Sequence, residues 1–92
     1  MNGSRYPSLG RYFENQTQLA HAGCMSRTRL HQILTGEKDF TRHEKKAIAA
    51  NIAMKLMNSP SFDYQELERA NEAYKGKFDE VYRRQDDGNQ TH

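Results

Sequence analysis

The spacing of apolar and polar positions predicts a chain of helices separated by polar or glycine-containing breaks. Ser8 is placed to cap a first helix, whose apolar stripe comprises Leu9, Tyr12 and Phe13. After Asn15, a second possible cap, a short helix is predicted over 17–22. It turns two residues inward, Leu19 and Ala20.

A tight turn at Gly23 and Cys24 ends that helix, and Ser26 is placed to cap the next one, predicted to run through Thr35. Three apolar residues of this second helix fall on one face: Leu30, Ile33 and Leu34. The opposite face carries Thr28, Gln32 and Thr35, flanked by Arg29 and His31, with Arg27 at the leading end. Gly36 predicts the stop.

A longer helix is predicted to begin at Thr41, because Thr41 and Glu44 have the spacing of a capping box. Phe40 is expected to enter the core just before it. The helix carries a broad apolar stripe, Ile48, Ala49, Ile52, Ala53, Leu56 and Met57. Its basic start could lie beside a DNA backbone or form an ordinary solvated face: Arg42, Lys45 and Lys46.

The clearest break in the chain is 58–61, after which Asp63 and Glu66 again have capping spacing and predict a helix to about Arg84. Apolar residues alternate in steps of three and four, with an asparagine at one inward position: Tyr64, Leu67, Asn71, Tyr74, Phe78 and Val81. The helix could therefore pair with a second copy or fold back on its own core. It could also do both, with Phe62 and Tyr64 on the core and Tyr74 to Tyr82 on a partner chain. The polar residues 86–92 are expected to be disordered.

Charge is unevenly divided along the chain. Before residue 59 there are nine Lys or Arg against four Asp or Glu, a net +5, and from residue 59 onward five against eight, a net −3. This division is typical of a head that binds a polyanion and a tail that does not touch it. The N-terminal Arg5 is expected to be free to reach a phosphate.

The stretch 16–36 resembles the helix-turn-helix domains of the lambda-repressor-like class, which includes phage Cro and CI proteins. The resemblance covers roughly residues 8–58 and rests on matching positions without a gap: Gln16, Leu19, Ala20, Met25, Ser26, Leu30, Ile33 and Gly36. One departure is Cys24, where the family usually has a glycine. That position commonly needs a left-handed backbone, which glycine adopts easily.

The resemblance implies a compact all-α domain of four to five helices in which the helix 26–35 enters the major groove of operator DNA. The residues expected to read bases are Arg27, Thr28, His31 and Gln32, because guanidinium and carboxamide groups match base edges. The residues expected to contact phosphates are Gln16, Ser26, Arg29, Thr35 and Lys38.

These features predict a small dimeric transcriptional regulator of the phage or mobile-element type. Its DNA-binding domain would span 1–58, its dimerisation helix 59–85 and a disordered tail 86–92. The expected dimer interface comprises Leu67, Asn71, Tyr74, Phe78 and Val81. Half-sites would lie about one helical turn apart.

The alternative is an interaction module, of antitoxin or anti-repressor type, that binds a partner protein through the C-terminal helix. Its contact strip would comprise Tyr64, Leu67, Tyr74, Phe78 and Tyr82. A reading face covered by other protein would exclude DNA binding as described.

Catalysis, a metal or a cofactor is not expected. Cys24 with His21 or His31 could suggest a nucleophile pair or a zinc site, but no orienting group and no fourth ligand are evident. A single cysteine excludes an intrachain disulfide. Because no apolar run suggests a leader or a membrane span, a cytoplasmic protein without a small-molecule substrate is expected.

Overall fold

The computed structural model describes residues 5–61 and 63–84, which form helices joined by turns and loops and contain no strand. The predictions for Phe62 and for the tail 86–92 lie outside the described residues. The elements are a 3-10 turn over Pro7–Arg11, then α1 Gln16–Ala22, α2 Arg27–Leu34, α3 Arg42–Met57, α4 Tyr64–Glu72, a kinked segment Ala73–Lys77, and α5 Phe78–Val81.

The N-terminal segment is a 3-10 turn, so the prediction of an α-helix capped by Ser8 is wrong. The turn begins at Pro7, two residues before the start that a Ser8 cap implies, and the fixed φ of proline suits the first position of a helical turn. The predicted apolar stripe is nevertheless correct, because Leu9 and Phe13 are buried and Tyr12 is partly buried.

Helices α1 and α2 meet across the predicted tight turn. Asn15 caps α1 by accepting a hydrogen bond from the Gln18 amide at 2.9 Å, and Ser26 caps α2 by accepting one from the Arg29 amide at 3.1 Å. Cys24 has φ 59°, so the left-handed position expected at this residue is present and is occupied by cysteine. The inward residues of both helices are buried as predicted: Leu19, Ala20, Leu30, Ile33 and Leu34.

Helix α3 is the centre of the fold. The Thr41 hydroxyl and the Glu44 carboxylate form both hydrogen bonds of the predicted capping box. Phe40 enters the core before the helix, as expected. Most of the predicted core stripe is also buried: Ile48, Ala49, Ile52 and Leu56. Met57 is an exception, since it is 63% exposed at the end of the helix.

The C-terminal residues do not form one helix to Arg84. Asp63 caps α4 as predicted. The helical path is interrupted at Gly76, whose φ of 124° other residues can adopt only with strain. Residues on both sides of this break join the same core as α3: Ala70 and Ala73 before it, and Phe78 and Tyr82 after it. The fold-back alternative is therefore correct, although Tyr64 is 67% exposed and does not contact the core as expected.

Two carboxylates fasten the C-terminal segment to the start of the chain. Asp79 accepts a hydrogen bond from the Tyr6 hydroxyl at 2.8 Å and lies 3.1 Å from the Lys45 ammonium. Glu66 accepts one from the Tyr12 hydroxyl at 2.9 Å and pairs with Arg11 at 3.1 Å. The acidic segment thus contacts the basic half of the chain.

The predicted boundary at residue 58 does not divide the chain into two hydrophobic cores, because residues on both sides of it share one hydrophobic cluster. The ring of Tyr6 lies 5.1 Å from that of Phe40 and 5.6 Å from that of Phe78, in tilted geometries that favour aromatic contact. Within the described residues, no helix has the length and apolar character needed to cross a lipid bilayer.

Candidate nucleic-acid interface

The outer face of α2 is open. Arg27, Thr28 and His31 are exposed, and Gln32 is partly exposed. The inner face of the same helix is fixed in the core by its buried apolar residues, so the outer side chains project from a supported surface. All four residues predicted to read bases therefore share one accessible face.

Two further residues complete this surface. A shallow concavity of about 560 Å³ is lined by Gln16 of α1, the four α2 residues and Glu37. Gln16 was predicted to lie near a phosphate, and the structure places it in the lining of the same concavity as Gln32 and Thr28. Glu37 was not predicted as a site residue, because it was assigned only to a loop.

The backbone of Gln32 holds the loop that carries Glu37 and Lys38. Its carbonyl oxygen accepts hydrogen bonds from the amides of Glu37, at 2.9 Å, and Lys38, at 3.1 Å. Gly36, with φ 96°, makes the turn that brings the loop back to α2. Lys38 is an exposed residue of this loop, so its ammonium can reach a polyanion.

Arg29 differs from the other predicted contacts because its guanidinium is engaged within the protein. Its Nε and Nη2 donate to the Glu44 carboxylate at 2.6 and 2.9 Å, and Nη2 also donates to the Asp39 carbonyl at 3.2 Å. The hydrogen bonds from Arg29 hold the pKa of Glu44 below its usual range. This pair ties α2 to the first turn of α3.

The two hydroxyls expected at phosphates also have local roles. Ser26 Oγ accepts the capping bond from Arg29, and Thr35 Oγ1 donates to the His31 carbonyl at 2.9 Å. Both residues are exposed at opposite ends of α2. Their oxygens remain able to accept a further hydrogen bond.

Several of the remaining basic side chains form contacts within the protein. Arg5 was expected to be free, but its guanidinium pairs with Asp39 at 2.9 Å. Lys45 pairs with Asp79, and the Lys46 ammonium lies 5.2 Å from the centre of the Tyr74 ring. Arg42 is exposed at the start of α3.

The described residues contain no cluster of three His, Cys, Asp or Glu side chains that could hold a metal ion. Cys24 is exposed in the turn between α1 and α2. Comparison with protein families, curated proteins and solved structures finds no match to this chain.

Proposed function

We propose that this chain is a double-stranded DNA-binding protein of the lambda-repressor-like helix-turn-helix type, without enzymatic activity, that regulates transcription in the cytoplasm. The observation that carries the proposal is the open outer face of α2, where Arg27, Thr28, His31 and Gln32 lie with Gln16 around one concavity. An eight-residue helix presents few side chains, and these are of the types that read base edges.

The chemistry of the face assigns a role to each side chain. The Gln32 carboxamide can form a bidentate pair with adenine, and the Arg27 guanidinium with guanine. Thr28 and His31 can bond to bases beside them. Glu37 adds a carboxylate that can accept a hydrogen bond from cytosine N4 and that repels a phosphate placed close to it. It therefore restricts which DNA sequences the face can bind.

Phosphate contacts would flank this face. Lys38 and the hydroxyls of Ser26 and Thr35 lie around α2, and Gln16 opens α1. We propose that Arg29 acts as a positioning residue instead of a phosphate contact, because Glu44 holds its guanidinium. Two copies would read two half-sites of an operator.

The test measures binding to random duplex DNA and to the DNA that flanks the gene, at several salt concentrations. Gln32→Ala removes the carboxamide from the concavity, and Gln65→Ala is the matched control on exposed α4. We expect a preference for the flanking DNA that falls about 10-fold or more in Gln32→Ala and is unchanged in Gln65→Ala. Affinity should decrease as salt rises.

Equal and weak binding to both DNAs would refute the proposal and direct attention to the alternative, a partner protein bound at the C-terminal segment. Tyr64 is 67% exposed and Tyr74 is 46% exposed there. However, Phe78 and Tyr82 are buried, so the expected contact strip loses two of its aromatic anchors.

A further inference from the structure

A cleft of about 320 Å³ lies between the first turn of α3 and the kinked segment that follows α4. Its α3 wall carries three basic side chains: Arg42, Lys45 and Lys46. Tyr74 and Gly76 lie on the opposite wall, and no described carboxylate lines the cleft. A concavity of this volume has the size of a site for a small molecule.

The three cations of the cleft differ in what holds them. The Lys45 ammonium lies 3.1 Å from Asp79 Oδ2, and the Lys46 ammonium lies 5.2 Å from the centre of the Tyr74 ring. Arg42 is exposed, and its guanidinium forms no hydrogen bond or ion pair with another described residue. Asp79 thus balances one of three positive charges, and the cleft presents an unengaged guanidinium beside two ammonium groups.

The cleft lies on the side of α3 away from α2. Glu44 marks the side that faces α2, because its carboxylate binds Arg29. Arg42 and Lys46 are each two residues from Glu44, which places them about 160° from it around the helix axis. No described residue lines both this cleft and the concavity on the outer face of α2. The basic start of α3 therefore belongs to a site separate from the proposed DNA face.

We propose that this cleft binds a small molecule that carries a phosphate group next to a planar ring. The Arg42 guanidinium can donate two parallel hydrogen bonds to phosphate oxygens, and the two ammonium groups favour a dianion. Tyr74 is 46% exposed and supplies aromatic surface for the ring. Because the Lys46 ammonium lies over Tyr74, the cationic and aromatic surfaces are adjacent, and a ligand that contacts both must carry its phosphate beside its ring.

The first experiment compares three probes by isothermal titration calorimetry, without DNA and at constant ionic strength: phenyl phosphate, inorganic phosphate and phenol. We expect phenyl phosphate to bind saturably and about 5-fold more tightly than inorganic phosphate, because it alone combines the charge with a ring that contacts Tyr74. Phenol should show no binding. Absence of saturable phenyl phosphate binding, or equal affinity for phenyl phosphate and either other probe, would overturn the proposal.

Two pairs of variants assign the contacts. Arg42→Gln removes the guanidinium, and Lys55→Gln removes the same charge from the exposed last turn of the same helix. We expect Arg42→Gln to weaken phenyl phosphate binding about 10-fold or more and Lys55→Gln to leave it unchanged. Equal weakening in both variants would mean a diffuse attraction to net charge and would refute the site.

The aromatic contact is tested in the same way. Tyr74→Ala should reduce the affinity for phenyl phosphate to about that for inorganic phosphate, whereas Tyr64→Ala should not, since Tyr64 is exposed on α4 outside the cleft. Equal effects of the two alanine substitutions would contradict the proposed place of the ring.

The second experiment locates the bound probe by amide chemical shifts in NMR spectra of the whole chain. We expect phenyl phosphate to shift the amides of Lys46 and Gly76 and to leave those of Arg27 and Thr28 in place. Shifts confined to α2 would place the phosphate on the proposed DNA face and would refute the cleft. Both experiments are made without DNA, so the inference can fail while DNA binding holds, and the converse is also true.

Discussion

The hydrogen bond from Tyr6 to Asp79 joins the first described residues to the last helix, and its removal tests how the two ends close the fold. Tyr6 is fully buried, and its hydroxyl lies 2.8 Å from Asp79 Oδ1. Tyr6→Phe deletes this donor and keeps the ring, so the packing against Phe40 and Phe78 is retained.

The expected loss follows from the partners that remain. A hydrogen bond to a charged group contributes about 1.5–3 kcal/mol. Asp79 keeps the Lys45 ammonium at 3.1 Å and is not left unpaired, so the lower end of that range applies. We therefore expect Tyr6→Phe to lower the free energy of unfolding by about 1.5 kcal/mol, or Tm by about 6–12 °C in a domain of this size.

Urea denaturation followed by helical circular dichroism measures the change, with Tyr64→Phe as the matched control. Tyr64 is 67% exposed, so loss of its hydroxyl should leave stability unchanged. A double-mutant cycle with Asp79→Asn isolates the contact, because the two substitutions should not be additive. Equal stability of Tyr6→Phe and Tyr64→Phe, or strict additivity with Asp79→Asn, would refute the reasoning.

The same bond predicts the response to alkali. Burial, and then the hydrogen bond to Asp79, raise the pKa of Tyr6 above its usual value of 10.0. A raised pKa in the folded state stabilises the fold fully below pH 10.0, and this contribution is lost as pH rises further. Tyr6→Phe should therefore lose less stability above pH 10.0 than the wild type does.

Three further substitutions test local features of the fold. Glu44→Gln keeps a capping acceptor but removes the charge that Arg29 holds, so it should lower the free energy of unfolding by about 1 kcal/mol at neutral pH. Because the pKa of Glu44 is lowered from its usual value of 4.5, the difference in stability from the wild type, measured by urea denaturation, should narrow below pH 4.5, and a constant difference would contradict this. Cys24→Gly relieves a left-handed cysteine, so thermal denaturation should show equal or higher stability, by up to about 1 kcal/mol, and a lower Tm would argue against strain at this turn. Gly76→Ala should cost about 1–3 kcal/mol because φ is 124°, whereas the neighbouring Lys75→Ala should be neutral in the same assay; equal effects would refute the backbone argument.

Helix starts were predictable from the sequence because caps are local. Ser26, Asp63 and the pair Thr41 and Glu44 each bond to backbone amides two or three residues away, and the structure contains every one of these caps. The short N-terminal turn was less predictable, since Ser8 lies inside it and caps nothing, and the turn begins at Pro7 after Tyr6.

The path of the C-terminal segment was not predictable in this way. Steps of three and four place Phe78 on a partner-facing seam or on the chain's own core equally well, because the periodicity says which residues want burial and not where. The choice depends on Gly76 at its positive φ and on room beside Tyr6 and Phe40 for another ring. Those are contacts between residues far apart in sequence.

The candidate site divides along the same line. Which side chains point outward from α2 follows from helical phase, so the exposed set with Arg27 and Thr28 was predictable. That Arg29 faces inward to Glu44 depends on how α2 packs on α3. An isolated helix of eight residues is unstable in water, so α2 owes its orientation to its buried face and to this ion pair. The proposed reading face is thus held in position by the buried residues of α2 and by the Arg29–Glu44 pair, which need not contact DNA themselves.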